Sequence, residues 1–114
     1  MEDFTEKRKH SRINVRLPIL IEAGGRTLAC KAMNISSKGL YIHCEERLPI
    51  DEIIYLSLRP EDHEFIEFYG KVIWSNLYGF DEEGKIFGFG VLLVQTSKVD
   101  SKQYDDFVKS LMSL

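Results

Sequence analysis

The stretch INVRLPILIEA, residues 13–23, sets apolar side chains at 13, 15, 17, 19 and 21. A repeat of two is the signature of an extended strand that buries one face. Gly24 and Gly25 follow immediately. A glycine pair reaches positive φ at no steric cost, so the strand is expected to turn back tightly into RTLACKAM (26–33) as the second arm of a hairpin. Further strands are expected at GLYIHCE (39–45), EIIYLSLR (52–59, after the break at Pro49), EFIEFYGKVIWS (64–75) and KIFGFGVLLVQ (85–95). The segment NLYGFDEEG (76–84) is rich in turn residues and acids and reads as an exposed loop between the last two strands.

Near the end of the chain the period changes. Tyr104, Phe107, Val108 and Leu111 fall at i, i+3, i+4 and i+7, one stripe of an amphipathic helix. Asp100, followed three residues later by Gln103, supplies the Asp form of a capping box at its start. Six strands and a closing helix predict a mainly β fold, a six-stranded antiparallel β-barrel whose closure removes exposed strand edges. With 114 residues, 44% of them hydrophobic, the chain has enough apolar surface for one core. No linker, repeat or low-complexity segment interrupts it. The expected layout is a single domain over 1–114: a flexible basic arm at 1–12, the barrel at 13–97 and the helix at 99–113.

Charge is distributed unevenly. Lys7, Arg8, Lys9, Arg12 and Arg16 lie in a stretch, Lys7 to Ile21, that holds no acid. The whole chain is −3, so without those five cations the rest carries −8. A local basic patch on an acidic body focuses potential on a compact anion rather than on a long polyanion. The arm also lacks aromatics interleaved for stacking bases. A DNA or RNA partner is therefore not expected.

Enzymatic chemistry finds no support. His43 and Cys44 are neighbours on a strand and point to opposite faces, so they form no nucleophile–base pair. Glu61-Asp62-His63-Glu64 reads as a solvated turn rather than a metal site. Cys30 and Cys44 have no CxxC spacing and read as small buried hydrophobes. No catalytic or metal-binding residue is assigned. No apolar run approaches the roughly 20 residues of a membrane span, and MEDFTEKRKH lacks the apolar stretch of a secretory signal. A cytoplasmic protein is expected.

Two short motifs remain: Arg8-x-x-x-Arg12, and, after the second strand, Asn34-x-Ser36-x-x-Gly39. In this order and strand context they resemble the RxxxR and (D/N)xSxxG signatures of the PilZ domain family. GKVIWSN followed by KIFGFGVLLV is similar to that family's late strand pair, and the resemblance covers most of the chain. It implies a PilZ-like barrel of the split-barrel type and a receptor for the bacterial second messenger cyclic di-GMP. This is a ligand, and no cofactor is implied.

The chemistry fits. Arginine's planar fork grips phosphate oxygens bidentately and matches the O6/N7 edge of guanine, whereas lysine is a point charge. The resemblance assigns the ligand to Arg8, Arg12, Asn34, Ser36 and Gly39, with Gly39 allowing close backbone approach. Asn34 and Ser36 alternate with Ile35, which would place both on the ligand face and Ile35 in the core. Asn34 replaces a carboxylate by an amide with one acceptor and two donors. Lys7, beside Arg8, resembles a position that affects whether one ligand or an intercalated pair binds; Lys9 and Trp74 are further candidate contacts. Trp74 either stacks on a base or closes one end of the barrel. The implied role is an adaptor, monomeric or dimerising with ligand, that passes its signal to an unidentified downstream protein. The alternative is a PilZ-like protein-interaction module that does not use the nucleotide.

Overall fold

The structure, a computed structural model, describes residues 12–61, 63–81, 84–94 and 98–113. Lys7, Arg8 and Lys9 lie outside the described residues. Six strands, β1 (Ile13–Ala23), β2 (Arg26–Ile35), β3 (Gly39–Cys44), β4 (Ile53–Leu58), β5 (Ile66–Asp81) and β6 (Gly84–Val94), precede one helix, α1 (Lys98–Met112). They close into an antiparallel barrel in the order β1-β2-β3-β6-β5-β4.

Alternation builds the interior. Ile19 and Ile21 of β1, Leu40 and Ile42 of β3, Leu56 and Leu58 of β4, Phe68 and Val72 of β5, and Phe89 and Val91 of β6 are all buried. Each such side chain contributes on the order of 1.5–3 kcal/mol relative to exposure. The β1–β2 hairpin turns at Gly24 and Gly25, with φ of 58° and 79°. Two positive-φ residues match the right-handed twist of the flanking strands.

Bulges bend this frame beside the motif. The β1–β2 register slips between Asn14 and Leu17, and the β2–β3 register slips between Ala32 and Asn34. A bulge re-aims the side chains that follow it. Cys30 and Ala32 point inward, and after the slip it is Ile35 that enters the core. Asn34 is thereby left on the outside.

Tyr104, Phe107 and Val108 of α1 are buried in the same core. Tyr104 meets Phe68 edge-on at 4.9 Å, an arrangement that suits the ring quadrupoles.

The expected strands all form, with three corrections. Residues 76–84, read as a loop, are largely strand: β5 runs to Asp81 and β6 resumes at Gly84. A register slip between Leu77 and Gly79 absorbs the glycine without ending the ladder. The side chains there are nonetheless exposed, Tyr78 at 62% and Phe80 at 70%. Secondly, α1 begins at Lys98, which puts Asp100 inside the first turn instead of at the cap. Thirdly, β2 continues through Asn34 to Ile35, because pairing with Tyr41 and Leu40 of β3 carries the ladder past Met33.

Candidate functional site

The turn between β2 and β3 is held by its own residues. The Ser36 hydroxyl accepts from the backbone N–H groups of Lys38 (3.2 Å) and Gly39 (3.3 Å), while the Ser36 N–H donates to the Gly39 carbonyl at 2.9 Å. This is a serine turn, in which a short hydroxyl replaces a backbone acceptor. Ser36 lies past the end of β2 and is buried, so it does not share an exposed face with Asn34.

The turn is also anchored from across the chain. The Tyr104 hydroxyl of α1 lies 2.8 Å from the Ser36 carbonyl and 3.1 Å from that of Gly39, and donates its proton toward both. Burial, then the nearby Asp105 charge, raises the Tyr104 pKa, so it remains a neutral donor.

Gly39 has a structural reason of its own. A Cβ at this position would collide with the Val91 carbonyl of β6. Backbone pairing of β3 with β6 at Gly39 and Leu92 therefore needs glycine here.

Immediately beside the turn, Arg12 Nη1 donates to Asn34 Oδ1 at 3.1 Å, across an exposed surface. Ladder pairing carries Asn34 into a row that crosses the barrel's outer wall: Asn14 to Asn34, Asn34 to Tyr41, Tyr41 to Gly90, and Gly90 to Trp74. Trp74 lies over Gly90, where any Cβ would strike the indole. This brings the indole against Tyr41, the two rings stacked at 5.5 Å and 25°. Trp74 is 38% exposed and stands on the outer wall. It does not plug an end of the barrel.

The aromatic surface continues past this row. The Tyr41 hydroxyl and His43 Nε2 are 2.9 Å apart, and His43 meets Tyr78 at 4.2 Å. Desolvation, then the Arg16 cation, depresses the His43 pKa. Desolvation, then Tyr78, raises that of Tyr41. At neutral pH both are uncharged, so the positive charge of this wall comes from arginine and lysine.

The structure thus brings together Arg12, Asn34 and Trp74 on one surface, with Ser36 and Gly39 in the adjoining turn. Tyr41, His43 and Tyr78 were not assigned to this surface from the sequence, where His43 figured only as a rejected catalytic base. The signal for the first two was the alternation in GLYIHC, which puts them opposite the buried Leu40 and Ile42. Among the described residues, no group of three or more His, Cys, Asp or Glu side chains could hold a metal ion, and no helix is long and apolar enough to cross a membrane.

A closed six-stranded antiparallel barrel with one C-terminal helix, a serine-stabilised polar turn and an arginine beside it defines a class of small barrel domain. A family model for the PilZ domain matches residues 6–110, and the chain belongs to that family. No curated relative matches by sequence.

Among solved structures, the fold is similar to the PilZ domain with c-di-GMP of YcgR from Escherichia coli, with TM-score 0.75 and 13% identity over 94% of this chain and 92% of that one. The K. pneumonia MrkH–c-di-GMP complex gives TM-score 0.76 at 13% identity over 93% of this chain and 52% of that one. The Bacillus subtilis inhibitor of motility, MotI/DgrA, gives TM-score 0.69 at 17% identity over 93% of this chain and 51% of that one. The chain thus spans about half the length of the latter two.

Proposed function

We propose that the chain is a non-enzymatic receptor for cyclic di-GMP that binds the dinucleotide on the outer wall and signals to a partner protein. The observation that carries this reading is the Arg12–Asn34 bond beside the stacked Tyr41 and Trp74 rings. One small surface then offers a guanidinium fork for phosphate or guanine, amide donors for the O6 and N7 acceptors of guanine, and an aromatic face for a base. Family membership and the c-di-GMP named for the YcgR and MrkH structures support the choice of ligand.

In this reading Arg8 and Arg12 clamp the ligand, and Asn34 orients a guanine. Ser36 and Gly39 shape the turn that lies against it, and Lys7, Lys9 and Trp74 add contacts. Arg12 has little to lose on switching partner. Its bond to the neutral Asn34 acceptor is exposed, whereas a phosphate offers a charge-assisted pair of roughly twice the strength. Binding favours the arrangement in which the N-terminal arm closes over the barrel, and the population shifts toward the surface that arrangement presents to a downstream protein.

The test is a calorimetric titration with cyclic di-GMP at about 0.15 M salt, where exposed charges are screened beyond roughly 8 Å. Saturable binding is expected, lost in Arg12→Ala with the barrel still folded, and the stoichiometry separates one bound ligand from an intercalated pair. Unchanged affinity in the Arg8→Ala, Arg12→Ala double variant would remove the arm from the site. Absence of heat, with a melting temperature unmoved by excess ligand, would replace the receptor by a protein-interaction module that does not use the nucleotide.

A further inference from the structure

The register of the wall leaves one strand edge unpaired. β4 is 6 residues long and β5 is 16, and the ladder between them ends at Ile53 and Lys71. One residue further, the Val72 backbone still bonds Asp51 and Glu52. From Ile73 to Asp81, β5 pairs with β6 along one edge. Among the described residues, no strand or backbone hydrogen bond takes up the other edge.

Such an edge is a template for another strand, and proteins blunt theirs with charge or proline along it. Val72 to Phe80 holds neither a charged residue nor a proline. Ile73, Trp74, Leu77, Tyr78 and Phe80 are exposed instead. Register slips bend the strand beside Ile73 and Tyr78, and between them Trp74–Leu77 pair in unbroken register with Gly90 through Phe87.

The occupant that fits this edge is the same edge of a second copy. An antiparallel pair about a two-fold axis is isologous, each copy donating and accepting at the same positions. Asn76 is exposed and lies two residues from both Trp74 and Tyr78, on the face where those rings meet Tyr41 and His43. An axis through Asn76 sets the two amides against each other, and each has a donor and an acceptor for its mate. It also sets Trp74 of each copy against Tyr78 of the other, an aromatic cross-strand pair. Charge favours the same contact. Two copies of a chain that carries −3 repel elsewhere, whereas along this edge no like charges are set opposite each other.

We propose that the chain forms a two-fold dimer by antiparallel pairing of its β5 edges, centred on Asn76. Pairing joins the walls of the two barrels into one sheet and turns both aromatic surfaces to the same side. A single strand edge buries less than the roughly 1,200–2,000 Å² of a stable interface, so the dimer is reversible and its population rises with protein concentration. This interface does not depend on the ligand assignment above.

The test is sedimentation equilibrium of the full chain without nucleotide, over roughly 10–500 μM protein. The mass is expected to rise from 13.2 kDa toward twice that value. Amide exchange at Trp74–Phe80 should slow over the same range while β1 and β2 keep their protection. Asn76→Lys and Asn76→Asp each place like charges opposite one another across the axis and should stay monomeric; an equimolar mixture of the two should recover the dimer mass. A wild type that remains monomeric throughout overturns the proposal. So does self-association that protects amides outside β5 alone, or that survives undiminished in both variants. The wild-type mass and exchange decide this even if a variant fails to fold.

Discussion

Tyr104 shows how one side chain can serve packing and polarity together. Its ring is fully buried, and its hydroxyl satisfies two carbonyls of the motif turn. Tyr104→Phe keeps the ring and removes its donor from both carbonyls, of which that of Gly39 keeps the Ser36 N–H. We expect a loss of about 1–3 kcal/mol in urea unfolding, the cost of a buried unsatisfied polar group. The pH dependence has a definite sign. The folded pKa of Tyr104 is raised, so its contribution is fully present below the unfolded tyrosine value of about 10 and is lost as pH rises above it. The wild-type minus Tyr104→Phe difference should shrink in that range and stay level between pH 6 and 9.

Gly39 yields a second prediction. Gly39→Ala drives a methyl into the Val91 carbonyl and should destabilise the barrel by about 1–3 kcal/mol, as overpacking does, with or without ligand, measurable by thermal melting. The motif glycine was legible in the sequence. Its contact with β6 was not, because Gly39 and Val91 are brought together only by the register of β3 against β6.

Among the elements, β5 and β6 mark the boundary of what local patterns reveal. The hairpins, the alternation and the helical stripe were readable because each is a short-range periodicity. The continuation of β5 through Tyr78 and Phe80 was hidden behind Asn76, Gly79 and Asp81, which signal a turn when taken residue by residue. What holds that segment extended is its partner: Leu77 pairs with Phe87, Gly79 with Ile86, and Phe80 with Lys85. β4 flanks β5 only as far as Lys71, so the outer part of β5 is supported on one side. Amide exchange is accordingly expected to be fastest at Gly79–Asp81 and Lys85–Ile86, and slowest at β1 and β2 near Ile19 and Ala32, which pair within the closed wall. Uniform protection across the sheet would contradict this. The aromatic row illustrates the same limit. Trp74, Tyr41 and Asn34 are adjacent only after three strand registers have been set, so no spacing in the sequence could have joined them.

The whole molecule is an acidic chain in which Arg12, Arg16 and Lys31 lie on one side of the wall. Arg12 is exposed beside Asn34, and Arg16 and Lys31 line a cavity together with His43 of the aromatic surface. Attraction of an anionic ligand to such a patch is long-range and screened by salt. The affinity for cyclic di-GMP should therefore fall as salt rises from 0.05 to 0.5 M, and more shallowly for Arg12→Lys than the overall loss of affinity in that variant would suggest, because lysine keeps the charge and loses the fork. A salt-independent affinity would shift the weight to the aromatic face.

The Tyr104 tie also imposes an order on the making of the protein. The Ser36 carbonyl lies 68 positions ahead of the tyrosine that binds it. At roughly 5–20 residues per second, the ribosome takes on the order of 3–14 seconds to travel that distance. Through all of that time the nascent turn has its own serine to hold its shape but no phenol to complete it. The turn that carries the motif is thus synthesised well before the residue that finishes it.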